Sequence, residues 1–371
     1  MKKEVLKIGI IGAGRFGEFL ISSYKDLNEI EVYAICESNK KRAQNLAKKY
    51  KIPFYYTNYR ELLKKKDIDI VVIVTPPFLH AKLALDSLNA GKNVLCEKPL
   101  ALSLKEAEKI RRVIKKSKKI FTLDYMFREN KAINLVKEII DNQVFGKIQN
   151  IVFENYARDD NLPENHWFWD KKKSGGIWIE HGVHFFDLFR YLTGQKPIKI
   201  TSFSVNRNNK IQDQVSALCI YNKGCNAIFL HSFTKAFEIE TTKISFCFEK
   251  GEVKIKGWIP KEIEFAGLVN NHEYSKLKNV MKNCNILTEN MEKIVKGRGK
   301  SYKINKKIQG NLVLKETKEN LYKDSVNKIM INLVNKIKNK GKLKVTFDDA
   351  LDSLKDAIIT NKNNAFNFKL R

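Results

Sequence analysis

The chain has 371 residues, of which 43% are hydrophobic, and it carries a formal net charge of +28. This length predicts about two globular domains, and no apolar run approaches the ~20 residues of a membrane-spanning helix. Six cysteines show no metal-ligand spacing, and residues 1–5 lead into an apolar strand with no room for a signal peptide. Together these features predict a cytoplasmic protein with reduced thiols and no metal site.

The basic charge is concentrated in one part of the chain. Residues 254–344 carry 22 Lys and Arg against 8 Asp and Glu, which is half of the net charge. Lysines mixed with asparagines dominate there, without the arginines and interleaved aromatics of base-reading surfaces. We therefore expect a solvated basic face and no nucleic-acid or membrane partner, and the charge is compatible with an anionic substrate.

The first predicted strand runs directly into a glycine-rich turn. Residues 6–11 are largely apolar, and Gly12, Gly14 and Gly17 follow in G-x-G-x-x-G spacing before an amphipathic segment. In dinucleotide sites the first glycine allows a tight turn and the second admits the pyrophosphate. The third lets the helix pack closely on the strand. The turn predicts a dinucleotide site, and the alternative is a tight βα turn without a ligand.

A second predicted strand, residues 31–36, ends at Glu37, which lies 20 residues after Gly17. An acid at this position can accept hydrogen bonds from the adenosine ribose 2′-hydroxyl and repels a 2′-phosphate. We therefore expect NAD rather than NADP. Ser38 and the basic residues 40–42 leave a 2′-phosphate clamp open as the alternative.

Strands and helices alternate through the rest of the first third. Further strands are expected at residues 68–74, 93–96 and 120–123, and helices at 79–90 and 104–117, the latter opened by a capping box of Ser103 and Glu106. This β-α repeat predicts a doubly wound parallel sheet in residues 1–124.

The pattern changes after residue 124, so residues 125–371 are expected to form a second domain. A helix at 131–142 is followed by predicted strands at 148–156, 198–205, 215–221, 227–233, 244–248 and 252–255, which indicate a large, mostly antiparallel open sheet. Residues 259–311 are expected to form a loop-rich insertion. Helices are expected over 317–339 and from Phe347 onward. The fold class is therefore α/β in both domains.

An open sheet with helices on one side needs cover on its other face. Seven alternating residues are expected to supply that apolar face: Phe203, Val205, Ala217, Cys219, Tyr221, Phe229 and Phe233. We therefore expect a homodimer or homotetramer. The alternative is that the 259–311 insertion covers the face within one subunit.

Two polar motifs follow neighbouring strands of the predicted parallel sheet. Thr75, Pro77 and His80 follow the fourth strand, and Glu97 and Lys98 follow the fifth. Ligands of open α/β sheets bind at the carboxyl ends of strands, so both motifs are expected beside the dinucleotide. The alternatives are a rigid proline turn and a solvated surface lysine.

A third cluster occupies residues 174–187 and is predicted to open a regular amphipathic helix from Trp178 to Tyr191. Glu180, His184 and Asp187 are spaced at i, i+4 and i+7, so all three are expected on one helix face. A carboxylate beside an imidazole is a competent acid–base pair. The alternative is a helix capped by glycines with His184 in its core.

These motifs, in their order and spacing from residue 6 to about 205, resemble the Gfo/Idh/MocA oxidoreductase family, which includes inositol dehydrogenases. They read G-A-G-R-F-G, T-P-P-x-x-H-A, E-K-P-L-A and S-G-G-x-x-x-E-H-G-x-H-x-x-D. Residues 345–351 also resemble the family's last helix. The resemblance implies a Rossmann domain followed by an α/β domain whose sheet commonly forms the subunit interface. It also supports a cis peptide at Lys98–Pro99.

By motif, Lys98 matches the active-site lysine of the family and His184 its histidine. Glu180 stands where inositol dehydrogenases carry an aspartate, so the proton relay is open. The implied cofactor-binding residues are Gly12, Gly14, Arg15, Phe16, Gly17, Glu37, Thr75, Pro77, His80, Glu97 and Lys98. The implied substrate-binding residues are Tyr125, Arg128, Trp167, His181 and Asp187.

The resemblance and the motifs together predict an NAD-dependent oxidoreductase that acts on a secondary alcohol of a sugar, polyol or sugar derivative. His184, helped by Lys98 and oriented by Glu180, would take the hydroxyl proton. Two alternatives stay open. One is an NAD-retaining enzyme that modifies glycosides through transient oxidation, and the other is a non-catalytic dinucleotide-sensing protein whose basic surface contacts nucleic acid.

Overall fold

A computed structural model of the protein describes residues 5–159, 162–208, 211–236, 238–282 and 284–369. The chain forms two compact units, each assembled from three separate segments. The first takes Met1–Glu129, Asn165–Asp187 and Lys323–Ile358, and the second takes Asn130–Glu164, Leu188–Tyr322 and Ile359–Arg371. In the described part of the chain, no helix is long and apolar enough to cross a membrane.

The first unit contains a six-stranded parallel sheet, as the β-α repeat predicts. Its strands are β1 (Leu6–Ile11), β2 (Ile30–Cys36), β3 (Phe54–Tyr56), β4 (Ile70–Ile73), β5 (Asn93–Cys96) and β6 (Phe121–Leu123). Their order, β3-β2-β1-β4-β5-β6, is that of a Rossmann fold. All four residues of β4 are buried, as expected for a parallel strand covered on both faces.

All six strands of this sheet end in one register row, since Tyr56 of β3 pairs with Cys36 of β2. Ile11 pairs with Cys36 of β2 and with Ile73 of β4, Ile73 pairs with Cys96, and Cys96 pairs with Leu123. The residues that follow each of these strands therefore emerge along the same edge of the sheet. This row, rather than any single loop, gathers the polar residues described below.

The five helices that pack on the first sheet are α1 (Arg15–Tyr24), α2 (Lys40–Tyr50), α3 (Tyr59–Leu63), α4 (His80–Asn89) and α5 (Leu104–Ser117). Three of them begin at a polar capping side chain, namely α2, α3 and α5. The Asn39 side chain accepts a hydrogen bond from Arg42 N, and the Ser103 side chain accepts one from Glu106 N. The Ser103 half of the predicted capping box is therefore confirmed, whereas the Glu106 carboxylate accepts from Leu102 N rather than from Ser103 N.

The second sheet has ten strands and is mostly antiparallel, as predicted. Its strands are β7 (Ile148–Tyr156), β8 (Pro197–Asn206), β9 (Gln212–Tyr221), β10 (Asn226–Ser232), β11 (Thr241–Phe248), β12 (Gly251–Lys256), β13 (Glu262–Val269), β14 (Asn285–Gly297), β15 (Lys300–Val313) and β16 (Asn364–Lys369). Their order is β14-β15-β13-β12-β11-β7-β10-β9-β8-β16. The β7–β10 and β8–β16 pairs are parallel, and the other pairs are antiparallel.

The remaining helices follow in chain order. They are α6 (Lys131–Asp141), α7 (Lys171–Ser174), α8 (Val183–Thr193), α9 (Asn271–Val280), α10 (Lys318–Ile337) and α11 (Phe347–Lys362). The expected helices at 131–142, at 317–339 and from Phe347 are confirmed.

The expectation of a loop-rich insertion at residues 259–311 is wrong. This segment forms β13, α9 and the β14–β15 hairpin. In β13 the side chains of Ile263 and Phe265 are buried, whereas most side chains of the hairpin are exposed. β15 does carry apolar residues at alternating positions, and Ile304 and Ile308 are buried, but the lysines and asparagines between them hide this pattern in the sequence.

The prediction of which residues form the uncovered apolar face of the second sheet is also wrong. Ala217, Cys219, Tyr221 and Phe229 are buried, whereas Phe203 is 46% exposed. The reason is the strand register, because Phe203 pairs with Ser216 and so lies on the face opposite to Ala217. On β8, β9 and β10, the large apolar side chains that are exposed are Ile198, Phe203, Leu218, Ile220 and Ile228.

Candidate active site

The glycine-rich turn has the geometry that a dinucleotide requires. Gly12 has φ +96, and a Cβ there would lie 2.1 Å from Val74 O, so the tight turn needs glycine. A Cβ on Gly17 would lie 2.2 Å from Gly12 O, because helix and strand pack closely. Around Gly14, no heavy atom of the described residues lies within 4 Å of an added Cβ. Gly14 also caps the N-terminus of α1, which favours an approaching phosphate.

The carboxylate of Glu37 lies at the mouth of this turn. Its Oε2 accepts a hydrogen bond from Ala13 N at 3.2 Å. Its Oε1 accepts from Ser38 Oγ and Asn39 N, both at 3.1 Å. A carboxylate held in place at the end of β2, with acceptor capacity remaining, fits a ribose hydroxyl. Arg15 and Phe16 follow in the first turn of α1, where Arg15 is exposed.

His80 is a completely buried residue that connects two turns of the site. Its Nε2 lies 2.7 Å from Thr75 O, and its Nδ1 lies 2.7 Å from Pro99 O. Burial lowers the pKa of His80, while the two carbonyl contacts act in the opposite direction. The Lys98–Pro99 peptide is cis, which confirms that prediction. His80 therefore acts on the site through the backbone of the turns at Thr75 and Pro99. Pro77, which lies between Thr75 and His80 in sequence, is also buried.

Glu97 and Asp124 form a buried pair of carboxyl groups at the ends of β5 and β6. They follow Cys96 and Leu123, which pair in register. Glu97 Oε2 accepts from Lys98 N at 3.2 Å, and in the described part of the chain no donor reaches Glu97 Oε1 or either Asp124 oxygen. Burial, and then the neighbouring Asp124, raise the pKa of Glu97 well above its ordinary value. Burial raises the pKa of Asp124 to about 6. Two carboxyl groups in contact without other donors are satisfied when they share a proton.

Lys98 and Glu180 form the central contact of the site. The Lys98 Nζ donates to Glu180 Oε1 at 2.7 Å and to Glu180 O at 2.6 Å. The two side chains are only 14% and 11% exposed. Both residues belong to the first unit, so the sheet edge and the 174–187 cluster meet within it.

The predicted helix from Trp178 to Tyr191 is not regular, and this changes the role expected of Glu180. Residues Trp178–Gly182 form a π-helical turn, and the α-helix begins only at Val183. A π turn is closed by i→i+5 hydrogen bonds, so the turn that carries Glu180 differs from the regular α-helix that the spacing assumed. The Glu180 carboxylate instead contacts Lys98 and lies 3.9 Å from His181 Nδ1. The expectation that Glu180 orients His184 is therefore corrected.

His184 is 5% exposed and lies among aromatic rings. Its ring centroid is 6.0 Å from that of Tyr125, 5.6 Å from that of Phe127 and 6.2 Å from that of His181.

Burial and the nearby Lys98 cation lower the pKa of His181 to about 3. His181 is thus a neutral imidazole at physiological pH and can donate or accept one hydrogen bond.

Arg128 and Asp187, both expected to bind substrate, are paired with each other. Arg128 donates from Nε to Asp187 Oδ2 at 2.9 Å and from its Nη2 to Asp187 Oδ1 at 2.6 Å. It also donates to Lys344 O at 2.7 Å, and Asp349 Oδ1 lies 3.2 Å away. The Arg128 and Asp187 side chains are 6% and 1% exposed, so the pair is a buried bidentate ion pair.

The last two predicted substrate residues differ in accessibility. Tyr125 is buried, and its hydroxyl lies 2.5 Å from Ser353 Oγ. Trp167 is half-buried in a run of rings, with its centroid 5.2 Å from that of His166 and 6.1 Å from that of Phe168. In the described part of the chain, no group of three or more His, Cys, Asp or Glu side chains could hold a metal ion.

Two polar residues of this region, Asp124 and Ser353, were not predicted as site residues. Asp124 follows an apolar strand directly, which is the same signal that identified Glu97. Ser353 carries no motif, and its contact with Tyr125 joins residues that are 228 positions apart.

Two family profiles match the chain. Residues 6–125 match the oxidoreductase family with an NAD-binding Rossmann fold, and residues 133–254 match the GFO/IDH/MocA C-terminal domain. A myo-inositol 2-dehydrogenase of Thermotoga maritima is 28% identical over 52% of this chain and 56% of its own length. An alpha-N-acetylgalactosaminidase of Shewanella oneidensis is 29% identical over 49% of this chain and 43% of its own length. The chain thus spans about half the length of these curated relatives.

A solved structure shares the fold over nearly the whole chain. The crystal structure of a myo-inositol 2-dehydrogenase from Lactobacillus plantarum covers 97% of both chains with a TM-score of 0.75 at 22% sequence identity. The two profiles together cover more than half of the chain and match both of its sheets. The chain therefore belongs to the GFO/IDH/MocA family of oxidoreductases.

Proposed function

We propose that this protein is an NAD-dependent oxidoreductase that acts on a secondary alcohol of a sugar, polyol or sugar derivative. The observation that carries the proposal is the contact between Lys98 and Glu180. It brings a cation and a carboxylate together at the sheet edge that also bears the glycine-rich turn. A non-catalytic dinucleotide sensor has no need of such a largely buried ion pair beside its ligand.

The residues that would hold NAD are those of the glycine-rich turn together with Glu37. Gly14 leaves room for the pyrophosphate at the N-terminus of α1, and Glu37 would accept from the ribose 2′-hydroxyl. When bound, NAD supplies the acceptor for a hydride from the substrate carbon. Thr75 and Pro77 would contribute backbone groups of their turn to the cofactor site, and His80 fixes the position of that turn.

Lys98 would stabilise charge on the substrate oxygen. Its ammonium group has three N–H donors, and Glu180 takes two of them with its backbone and side-chain oxygens. The third can donate to a hydroxyl oxygen that becomes negative as the alcohol is oxidised. In a site with little solvent, a fixed donor of this kind needs little reorganisation.

His184 would accept the proton that the substrate hydroxyl releases. Glu180 acts on Lys98 rather than on this imidazole, and Arg128 and Asp187 support the site from the interior rather than contact substrate. His181, as a neutral imidazole, would hydrogen-bond a neighbouring substrate hydroxyl. Trp167 would offer an aromatic face to a sugar ring.

We also retain residues 1–124 as the dinucleotide-binding domain and residues 125–371 as the substrate-binding and oligomerisation domain. The exposed apolar side chains of the second sheet support a homo-oligomer, because a monomer would leave them in water.

A substrate screen tests the proposal. The protein is incubated with NAD and a panel of inositols, other polyols, aldoses and glucosides, and NADH is followed by absorbance, with Lys98→Met as the control. We expect at least one compound to give NADH with the wild type, at a rate at least about 10²-fold higher than with the variant. Tight NAD binding without oxidation of any compound would contradict the proposal.

A second function is favoured by the similarity to the acetylgalactosaminidase of Shewanella oneidensis. In that case the protein would cleave a glycoside while NAD stays bound, and no net NADH would accumulate. Chromogenic aryl glycosides, assayed with and without added NAD, distinguish the two activities.

A further inference from the structure

A basic cleft of about 460 Å³ adjoins the Glu37 carboxylate. It is lined by Lys41, Arg42 and Lys49 together with Glu18 and Asn39, whose backbone N donates to Glu37 Oε1. Three cationic side chains beside the ribose site could bind the 2′-phosphate that NADP carries. The residue types that line the cleft therefore do not by themselves decide between NAD and NADP.

The positions of the hydrogen bonds show where Arg42 is engaged. Its Nε donates to Ala13 O at 2.6 Å, and its Nη2 donates to Glu18 Oε2 at 3.4 Å. Glu37 Oε2 accepts from the N–H of the same residue, Ala13. The Arg42 guanidinium is therefore close to the ribose site, but its Nη2 group donates to Glu18.

Glu18 also neutralises a second cation of the cleft. Its Oε1 accepts from Lys49 Nζ at 2.8 Å and from Tyr50 OH at 3.3 Å. The hydrogen bond from Lys49 lowers the pKa of Glu18, which therefore stays ionised. Glu18 lies in the first turn of α1, where the helix dipole also favours a negative charge.

We propose that Glu18 reinforces the preference for NAD over NADP set by Glu37, because it holds Arg42 and Lys49 away from the place of a 2′-phosphate. This inference rests on the proposed function. Glu37 repels the phosphate directly, whereas Glu18 removes the cations that would otherwise attract it. Loss of the Glu18 charge releases the Arg42 fork for a phosphate.

Binding constants of NADH and NADPH, measured by fluorescence titration without substrate, test the inference. Wild type, Glu18→Gln, Glu37→Ser and the double variant are compared. In the Glu37→Ser background, Glu18→Gln should tighten NADPH binding about tenfold, the gain expected from one half-exposed charge-assisted contact. NADH binding should change less than about twofold. Glu108→Gln, an exposed change on α5, is the matched control and should leave the NADPH-to-NADH ratio unaltered.

Adding Arg42→Gln to the double variant should abolish the NADPH gain while NADH still binds. If NADH binds to all variants but Glu18→Gln leaves the ratio unchanged in the Glu37→Ser background, the role of Glu18 is refuted and the proposed function is untouched. If neither nucleotide binds the wild type, the proposed function fails, and this inference fails with it.

Discussion

Replacement of Asp124 by Asn should stabilise the protein at neutral pH, although it removes a buried polar group. Asp124 is 4% exposed and faces the carboxyl group of Glu97. Its ionisation places a charge in the interior, where, among the described residues, only the proton shared with Glu97 can be donated to it. Asparagine has nearly the same shape, stays neutral at every pH and can donate to Glu97.

The magnitude follows from the pKa of Asp124, which burial raises from 3.8 to about 6. At 1.36 kcal/mol for each pKa unit, ionisation of Asp124 costs about 3 kcal/mol more in the folded protein than in the unfolded chain. Between pH 3.8 and 6 the unfolded chain loses the proton and the folded protein retains it. Folded-state stability therefore falls as pH rises through this window, and the loss is complete above pH 6.

The assay is urea unfolding of wild type and Asp124→Asn at pH 4, 5.5 and 7.5, followed by tryptophan fluorescence and circular dichroism. The variant should gain up to about 3 kcal/mol relative to the wild type between pH 4 and 7.5. Asp348→Asn, a change on a side chain that is 77% exposed, is the control and should show no such gain. A stability difference that does not grow with pH would refute the idea that Asp124 is protonated in the interior.

Four further outcomes are expected. Lys98→Met and His184→Asn should each lower kcat by about 10²–10⁴-fold on the identified substrate, with NAD affinity by fluorescence little changed; near-normal turnover of His184→Asn would make it a packed core histidine. Glu180→Gln should lower kcat less than Lys98→Met, because an amide oxygen still accepts from Lys98 Nζ. The kcat/KM for NAD should exceed that for NADP, since Glu37 repels a 2′-phosphate, and a ratio at or below one would contradict this. Light scattering should give a multiple of 43 kDa, and Phe203→Glu should lower it; a wild-type mass of one chain would contradict the oligomer.

The parallel sheet could be predicted because each of its signals is local. Apolar runs such as residues 70–73 and caps such as Ser103 depend on neighbours within a few positions. The register row that gathers Glu37, Glu97 and Asp124 follows from the lengths of these strands. Motifs at strand ends therefore indicated from sequence which polar residues emerge along one edge of the sheet.

The side-chain partners within the site could not be predicted in the same way. The spacing of Glu180 and His184 indicated a pair only under the assumption of 3.6 residues per turn. The Glu180 carboxylate contacts Lys98 instead, a residue 82 positions away in sequence, and no local spacing indicates that contact. The Arg128–Asp187 pair likewise joins residues 59 positions apart, and either residue alone reads as a substrate contact.

The same distinction explains why His80 looks like a ligand-binding residue in the sequence. It belongs to a motif at a strand end, where functional histidines are common, yet both ring nitrogens lie against backbone carbonyls. Because one carbonyl belongs to Thr75 and the other to Pro99, the ring fixes the separation of the two turns. Lys98 precedes Pro99 directly. Glu180 therefore fixes the ammonium end of the Lys98 side chain, and the turn that contacts His80 fixes the backbone end. A donor constrained at both ends of its turn is the arrangement that electrostatic stabilisation of a substrate oxygen requires.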